Sequence, residues 1–182
     1  MKDAHGREIK YLRVSVTDRC NLRCKYCMPN GIECVEHKDI LSFEEIRQIA
    51  VCGARLGITK IRLTGGEPLA RKGCPELIRM LKEIPGIEKI AMTTNGTLVR
   101  AILPELVEAG LDEINISLDT LDAGTFAAIT GQDLLPEVLL AIDAALAAGL
   151  KVKVNAVSMP DTDWKRLYGI FWTAGERARA MR

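Results

Sequence analysis

Three times in this chain a helix-like apolar run stops at a glycine and passes at once into a strand-like run: Leu56-Gly57-Ile58, Ala109-Gly110-Leu111 and Ala148-Gly149-Leu150. Glycine takes the left-handed backbone angles that close a helix, so each junction marks a helix stop and a turn into a strand. Strand-like runs cover residues 12–17, 60–64, 89–94, 113–118 and 151–157. Helix-like runs cover 42–56, 75–84, 98–109 and 135–148. Ser42 and Glu45 form a capping box at the first helix, and Pro75 suits the first turn of the second. Strand and helix alternate about every thirty residues, the signature of βαβ units and a parallel sheet. An antiparallel sheet would need hairpin turns where the helices lie. With 182 residues, 48% of them hydrophobic, the chain suits one globular domain, and no linker divides it.

Strands covered by helices on both faces should be apolar throughout. These alternate instead. Leu12, Val14 and Val16 oppose Arg13, Ser15 and Thr17; Ile61 and Leu63 oppose Lys60, Arg62 and Thr64. Ile114, Ile116 and Leu118 oppose Asn115, Ser117 and Asp119; Val152, Val154 and Ala156 oppose Lys153 and Asn155. The third strand is weaker, with Thr93 and Asn95 sharing a face with Ala91. Period-two alternation means that one face is wet. A curled sheet with helices outside and a polar hollow inside, a barrel or part of one, meets both conditions. Arg13, Lys60, Arg62 and Lys153 would point into the hollow, with Asp119 the one clear anion against them. Four cations in one cavity imply a polyanion, most simply a run of phosphates.

Directly after the first strand come Cys20, Cys24 and Cys27, spaced C-x3-C-x2-C. A structural zinc site takes four protein ligands. Three thiolates leave a coordination position open, and a [4Fe–4S] cube on three cysteines keeps one iron free for a substrate or cofactor. Cys34 or His37 as a fourth ligand would make a closed zinc or electron-transfer module instead. Gly65-Gly66-Glu67-Pro68 follows the second strand, where two glycines allow close approach to backbone groups. Sites on parallel αβ folds lie at the carboxyl ends of strands. The cysteine loop, Gly-Gly-Glu-Pro, Thr93-Thr94-Asn95-Gly96 and Ser117-Leu118-Asp119 would therefore ring one mouth.

A net charge of +1 gives no bulk electrostatic case for nucleic acid or a membrane surface. The opening ten residues are polar, unlike a signal peptide, and no apolar run is long enough to span a bilayer. Six cysteines without a secretory signal point to a reducing, cytoplasmic setting. Cys34, Cys52 and Cys74 show no ligand spacing and read as buried or incidental thiols.

C-x3-C-x2-C after a first strand together with Gly-Gly-Glu-Pro after a second resembles the radical S-adenosylmethionine (SAM) enzymes. The strings at residues 12–29, 60–69, 93–96, 115–119 and 151–155 resemble one branch in the same order, the GTP 3′,8-cyclases of molybdenum cofactor biosynthesis. The resemblance implies an α/β fold, an incomplete TIM-like (β/α) barrel of about five βα units over residues 1–157. It implies that Cys20, Cys24 and Cys27 hold a [4Fe–4S] cluster whose open iron takes SAM. It places Gly66 and Ser117 against the methionine part of SAM and Tyr26 near its adenine. Arg13, Arg62, Thr93 and Lys153 match GTP-contacting positions, with Lys60 a phosphate neighbour. The implied reaction cleaves SAM to a 5′-deoxyadenosyl radical that takes hydrogen from the ribose C3′, and the carbon radical closes onto guanine C8. The product is (8S)-3′,8-cyclo-7,8-dihydroguanosine 5′-triphosphate.

The likeness fades after Val157. Residues 163–182 can be drawn as a helix, but the family's C-terminal half, with a second three-cysteine cluster, has no counterpart, since no cysteine follows Cys74. The expectation is a shortened form that ligates one cluster and SAM and cyclises GTP poorly alone. Its partners would be an electron donor and a chain supplying the missing half or a further copy of itself. Its fifth strand would offer an unpaired edge beside Val152 and Val154. A radical SAM enzyme for another substrate and a non-catalytic iron–sulfur or metal module are the alternatives.

Overall fold

The computed structural model describes residues 4–27, 35–36, 39–157 and 169. Five parallel strands lie side by side in chain order: β1 (Tyr11–Ser15), β2 (Lys60–Thr64), β3 (Lys89–Thr94), β4 (Glu113–Ser117) and β5 (Lys151–Asn155). Helices α1 (Phe43–Arg55), α2 (Cys74–Lys82), α3 (Val99–Glu108), α4 (Ala123–Thr130) and α5 (Leu135–Ala147) carry the crossovers. Every expected strand, and every expected helix before residue 150, is present within two residues at each end. The capping box is formed: Ser42 Oγ accepts Glu45 N, and Glu45 Oε2 accepts Ser42 N. The expected helix over 163–182 lies outside the described residues.

One helix was not expected. α4 is short, and Gly124, Thr125 and Thr130 are poor helix formers. Tertiary bonds hold it. Asp122 Oδ1 accepts Thr125 N and Thr125 Oγ1 at its start. At its end Arg23 N and Lys25 N donate to Thr130 O and Ile129 O. The helix thus serves as a shelf for the cysteine loop.

The core lies between one sheet face and the helices. Ile61, Leu63, Ile90, Met92, Ile114 and Ile116 are wholly buried there, with Leu77, Leu81, Leu106 and Val138 from the helices. The opposite face carries the polar parity. At its centre Ala91, Glu113 and Arg62 are buried, while Arg13 on β1 and Lys153 on β5 are exposed. A flat sheet would expose its centre as much as its margins, so this pattern marks a sheet curled round its polar face. The sheet is not closed: among the described residues β1 and β5 each pair with one neighbour. The architecture is an incomplete TIM-like barrel, as expected. Val152 and Val154 are half-buried against the core, so the open β5 edge is polar backbone more than apolar side chain. Among the described residues no single helix is long and apolar enough to cross a membrane.

Candidate functional site

The carboxyl ends of β1 to β4 meet at one rim, and backbone hydrogen bonds tie the β1 loop to the β2 loop. Gly66 N donates to Thr17 O at 2.7 Å, and Glu67 N donates to Arg19 O at 2.8 Å. A Cβ on Gly65 would strike the Thr17 carbonyl, and one on Gly66 the carbonyls of Arg19 and Asp18. Gly65 also stands at φ 149°, which a side chain would strain. Here the close approach that two glycines allow is made by the chain itself, between the Gly-Gly-Glu-Pro turn and the stretch leading to Cys20. A ligand contact at Gly66 falls to its carbonyl, since its amide is engaged.

Glu67 locks the next loop. It is wholly buried. Its carboxylate accepts Leu69 N at 3.0 Å, Thr94 Oγ1 at 2.8 Å and Asn95 N at 2.7 Å. Burial raises its pKa, and those three donors work against the rise. Glu67 is thus a brace between the β2 and β3 loops, and Pro68 opens a single 3-10 turn, Pro68–Ala70, behind it.

Cys20, Cys24 and Cys27 are free thiols on the β1 loop; Cys20 and Cys24 are half-buried and Cys27 is exposed. Cys20 Sγ accepts Leu22 N at 3.4 Å and faces Asn95 Nδ2 at 3.8 Å. Cys24 lies one turn from Cys27, whose amide donates to Cys24 O at 3.0 Å. Burial raises the Cys24 pKa, the neighbouring Cys20, Asp119 and Cys27 charges raise it further, and a Tyr26 hydrogen bond opposes them. Negative charge crowded round the Cys24 sulfur suits a cationic core. Among the described residues no three His, Cys, Asp or Glu side chains stand close enough to hold one metal ion. The chemistry of the donor set, three free thiols on one loop, fits an iron–sulfur cluster, whose cysteine ligands bind separate irons. Cys34 and His37, the candidate fourth ligands, lie outside the described residues.

Tyr26 lies beside the cysteines, half-exposed at 40%, and donates from its hydroxyl to Asp119 Oδ2 at 2.7 Å. Its pKa is raised well above the ordinary tyrosine value by burial, and by the Asp119 carboxylate that accepts its hydrogen bond. Asp119 Oδ1 accepts Val157 N at 2.8 Å, so one carboxylate joins the cysteine loop to the stretch beyond β5. Ser117 closes β4 beside Asn155, on the polar face.

Inside the hollow the strand register sets a lateral row: Arg13, Arg62, Ala91, Glu113 and Lys151. Glu113 is 2% exposed. It meets Lys60 Nζ at 2.5 Å, Lys151 Nζ at 3.5 Å and Arg62 Nη2 at 3.8 Å. Burial pushes the Glu113 carboxyl up, but Lys60 and Lys151 pull it further down, and it ends below the ordinary carboxylate range. The expectation that Asp119 is the one anion facing the cations is therefore corrected: Glu113 takes part of the charge of Lys60 and Arg62. The expectation of a wet face fails at Arg62 for the same reason. Its guanidinium is drawn in by Glu113, donates to Thr93 Oγ1 at 3.3 Å and lies 5.9 Å from the Tyr11 ring centre. Arg13 and Lys153 remain exposed on the two margins. Glu113 and Lys151 are absent from the set expected above, yet both share the polar parity. The signal is the first residue of each strand. A separate cavity of about 530 Å3 opens toward the α1 N-terminus, between Arg19, Phe43 and Arg71.

Among families, the radical SAM superfamily matches residues 14–170. Among curated proteins, a GTP 3′,8-cyclase of Erythrobacter litoralis is 48% identical over 177 residues, covering 96% of this chain and 53% of that protein. One of Thermodesulfovibrio yellowstonii is 54% identical over 162 residues, covering 87% and 50%. The chain thus spans about half the length of the curated relatives it matches. Among solved structures, Streptococcus suis SuiB bound to S-adenosylmethionine superposes with a TM-score of 0.72 at 21% identity, covering 92% of this chain and 36% of that one. Methylornithine synthase superposes with a TM-score of 0.72 at 19% identity, covering 92% and 50%. At such identities the structures speak for the fold.

Proposed function

The chain belongs to the radical SAM superfamily, a family that binds a [4Fe–4S] cluster and SAM, and on that premise we propose that it acts on GTP, as the first step of molybdenum cofactor biosynthesis. The observation that carries the reading is the rim: three cysteines, tied by backbone to Gly-Gly-Glu-Pro, open onto a hollow whose margins hold Arg13 and Lys153. Relatives about half identical to this chain are GTP 3′,8-cyclases, which supports GTP over other substrates.

In this proposal Cys20, Cys24 and Cys27 hold the cluster. When bound, it supplies the electron that cleaves SAM. The Gly66 carbonyl and Ser117 orient the methionine part, and Tyr26, anchored by Asp119, lies beside the adenine. Arg13 and Lys153 reach the phosphates from opposite margins. Arg62 and Thr93, already hydrogen-bonded to each other, form the floor between them, and Lys60 is the phosphate neighbour held by Glu113. The partial barrel is taken as one unit, its strands running from β1 to β5. GTP cyclisation would draw on an electron donor. The free thiols support a reducing, cytoplasmic setting.

Anaerobic reconstitution tests this. The chain should take up about four irons; SAM should change the electron paramagnetic resonance of the reduced cluster, and 5′-deoxyadenosine should form. A reduced spectrum that SAM leaves unmoved overturns the reading in favour of an electron-transfer module.

A further inference from the structure

Just beyond β3, Asn95 belongs to a closed ring of three side chains. Its Nδ2 donates to Asn21 Oδ1 at 2.8 Å. Asn21 Nδ2 donates to Thr97 Oγ1 at 2.8 Å, and Thr97 Oγ1 donates to Asn95 Oδ1 at 2.7 Å. The ring runs in one direction. Asn95 Oδ1 also accepts Thr97 N at 3.0 Å, and a backbone amide can only donate, so the carboxamide oxygen must face Thr97. The nitrogen must then face the cysteine loop. It carries two hydrogens. One goes to Asn21; the other is directed to Cys20 Sγ, 3.8 Å away. The Asn95 backbone is pinned as well, because its amide donates to the buried Glu67 at 2.7 Å.

We propose that Asn95 is a positioning residue that donates its second Nδ2 hydrogen to the Cys20 thiolate and thereby raises the reduction potential of the cluster. The inference rests on the proposal that Cys20 holds one of the irons. Reduction adds negative charge that spreads onto the sulfurs. A donor fixed on a thiolate stabilises the reduced form more than the oxidised one. The ring keeps this donor aimed before any electron arrives, with Leu22 N as a second donor on the same sulfur.

The test is a redox titration of the reconstituted full chain, followed by electron paramagnetic resonance. Asn95→Ala should keep the iron content of wild type and lower the midpoint by a tenfold change in the reduction equilibrium, about 59 mV for a one-electron couple. Thr97→Ala, which opens the ring but keeps the donor, should move it far less. Equal shifts in both variants, or none in Asn95→Ala, overturn the proposal. If Asn95→Ala takes up no iron, wild type labelled with 15N-asparagine decides. Its reduced cluster should show a hyperfine coupling to the asparagine side-chain nitrogen, and absence of that coupling overturns the proposal. A wild-type chain that takes up no iron refutes the cluster reading itself, which separates that failure from this one.

Discussion

Arg62 Nη2 reaches to 3.8 Å of Glu113 Oε2 across the full width of β3, because the residue between them in the lateral row is Ala91. A larger side chain there would part them. Glu113→Gln keeps the shape and removes the charge, leaving Lys60, Arg62 and Lys151 to repel one another around a neutral group. Breaking a buried pair costs about 3–5 kcal/mol. Lys60 keeps 25% of its side chain exposed and can turn outward, so a loss of about 2–3 kcal/mol is expected. Urea unfolding measures it; a change within error of zero would show that the row is not a stabilising element.

The same carboxylate sets a pH dependence. Its folded pKa lies below the ordinary 4.5. A depressed carboxylate contributes stability above its unfolded pKa and loses it as pH falls through the folded value. The stability gap between wild type and Glu113→Gln should therefore be full at neutral pH and shrink as the pH drops from about 4.5. Unfolding curves taken at a series of acidic pH values would show a constant gap if the pairing carried no linkage.

Gly66→Ala should loosen the cysteine loop without touching a thiol, since the new methyl group would collide with Arg19 O and Asp18 O. The backbone must yield, at a cost of about 1–3 kcal/mol. Iron uptake on reconstitution should fall, while far-ultraviolet circular dichroism stays that of wild type.

Asp119→Ala removes the acceptor shared by Tyr26 Oη and Val157 N. Two hydrogen bonds at a partly exposed site are worth about 0.5–1.5 kcal/mol each. Amide exchange at Val157 should quicken, and exchange in the core strands should not.

The thiols should divide sharply toward an alkylating agent before iron is added. Burial pushes Cys74 up to about 12, and its side chain is 2% exposed. At pH 8 only about one in ten thousand of these groups would be thiolate. Cys27 is exposed and should react at once. Mass spectrometry after brief labelling should find Cys27 modified and Cys74 intact.

Much of the fold is legible in the sequence because the strand parity and the helix–Gly–strand junctions are local signals. Ser42 and Glu45 announce α1, and Gly57, Gly110 and Gly149 stand at positive φ where expected. α4 is not legible, because Asp122 and bonds from the cysteine loop hold it rather than its own propensity. The cysteines and Gly-Gly-Glu-Pro announce the rim by spacing alone. Glu113 hides at the start of its strand, and its effect on Arg62 depends on Ala91 lying between them in register. The Asn21, Asn95 and Thr97 ring joins residues more than seventy positions apart, which no local pattern records.

The contact of Gly66 N with Thr17 O also bears on the placing of Cys20. The loop that carries Cys20 is shaped by β1–β2 pairing and by the turn after β2, both of them protein against protein. The position of Cys20 is therefore coupled to strand pairing: a change that weakens the β1–β2 pair or the turn after β2 reaches the cysteine loop through the backbone, with no thiol altered.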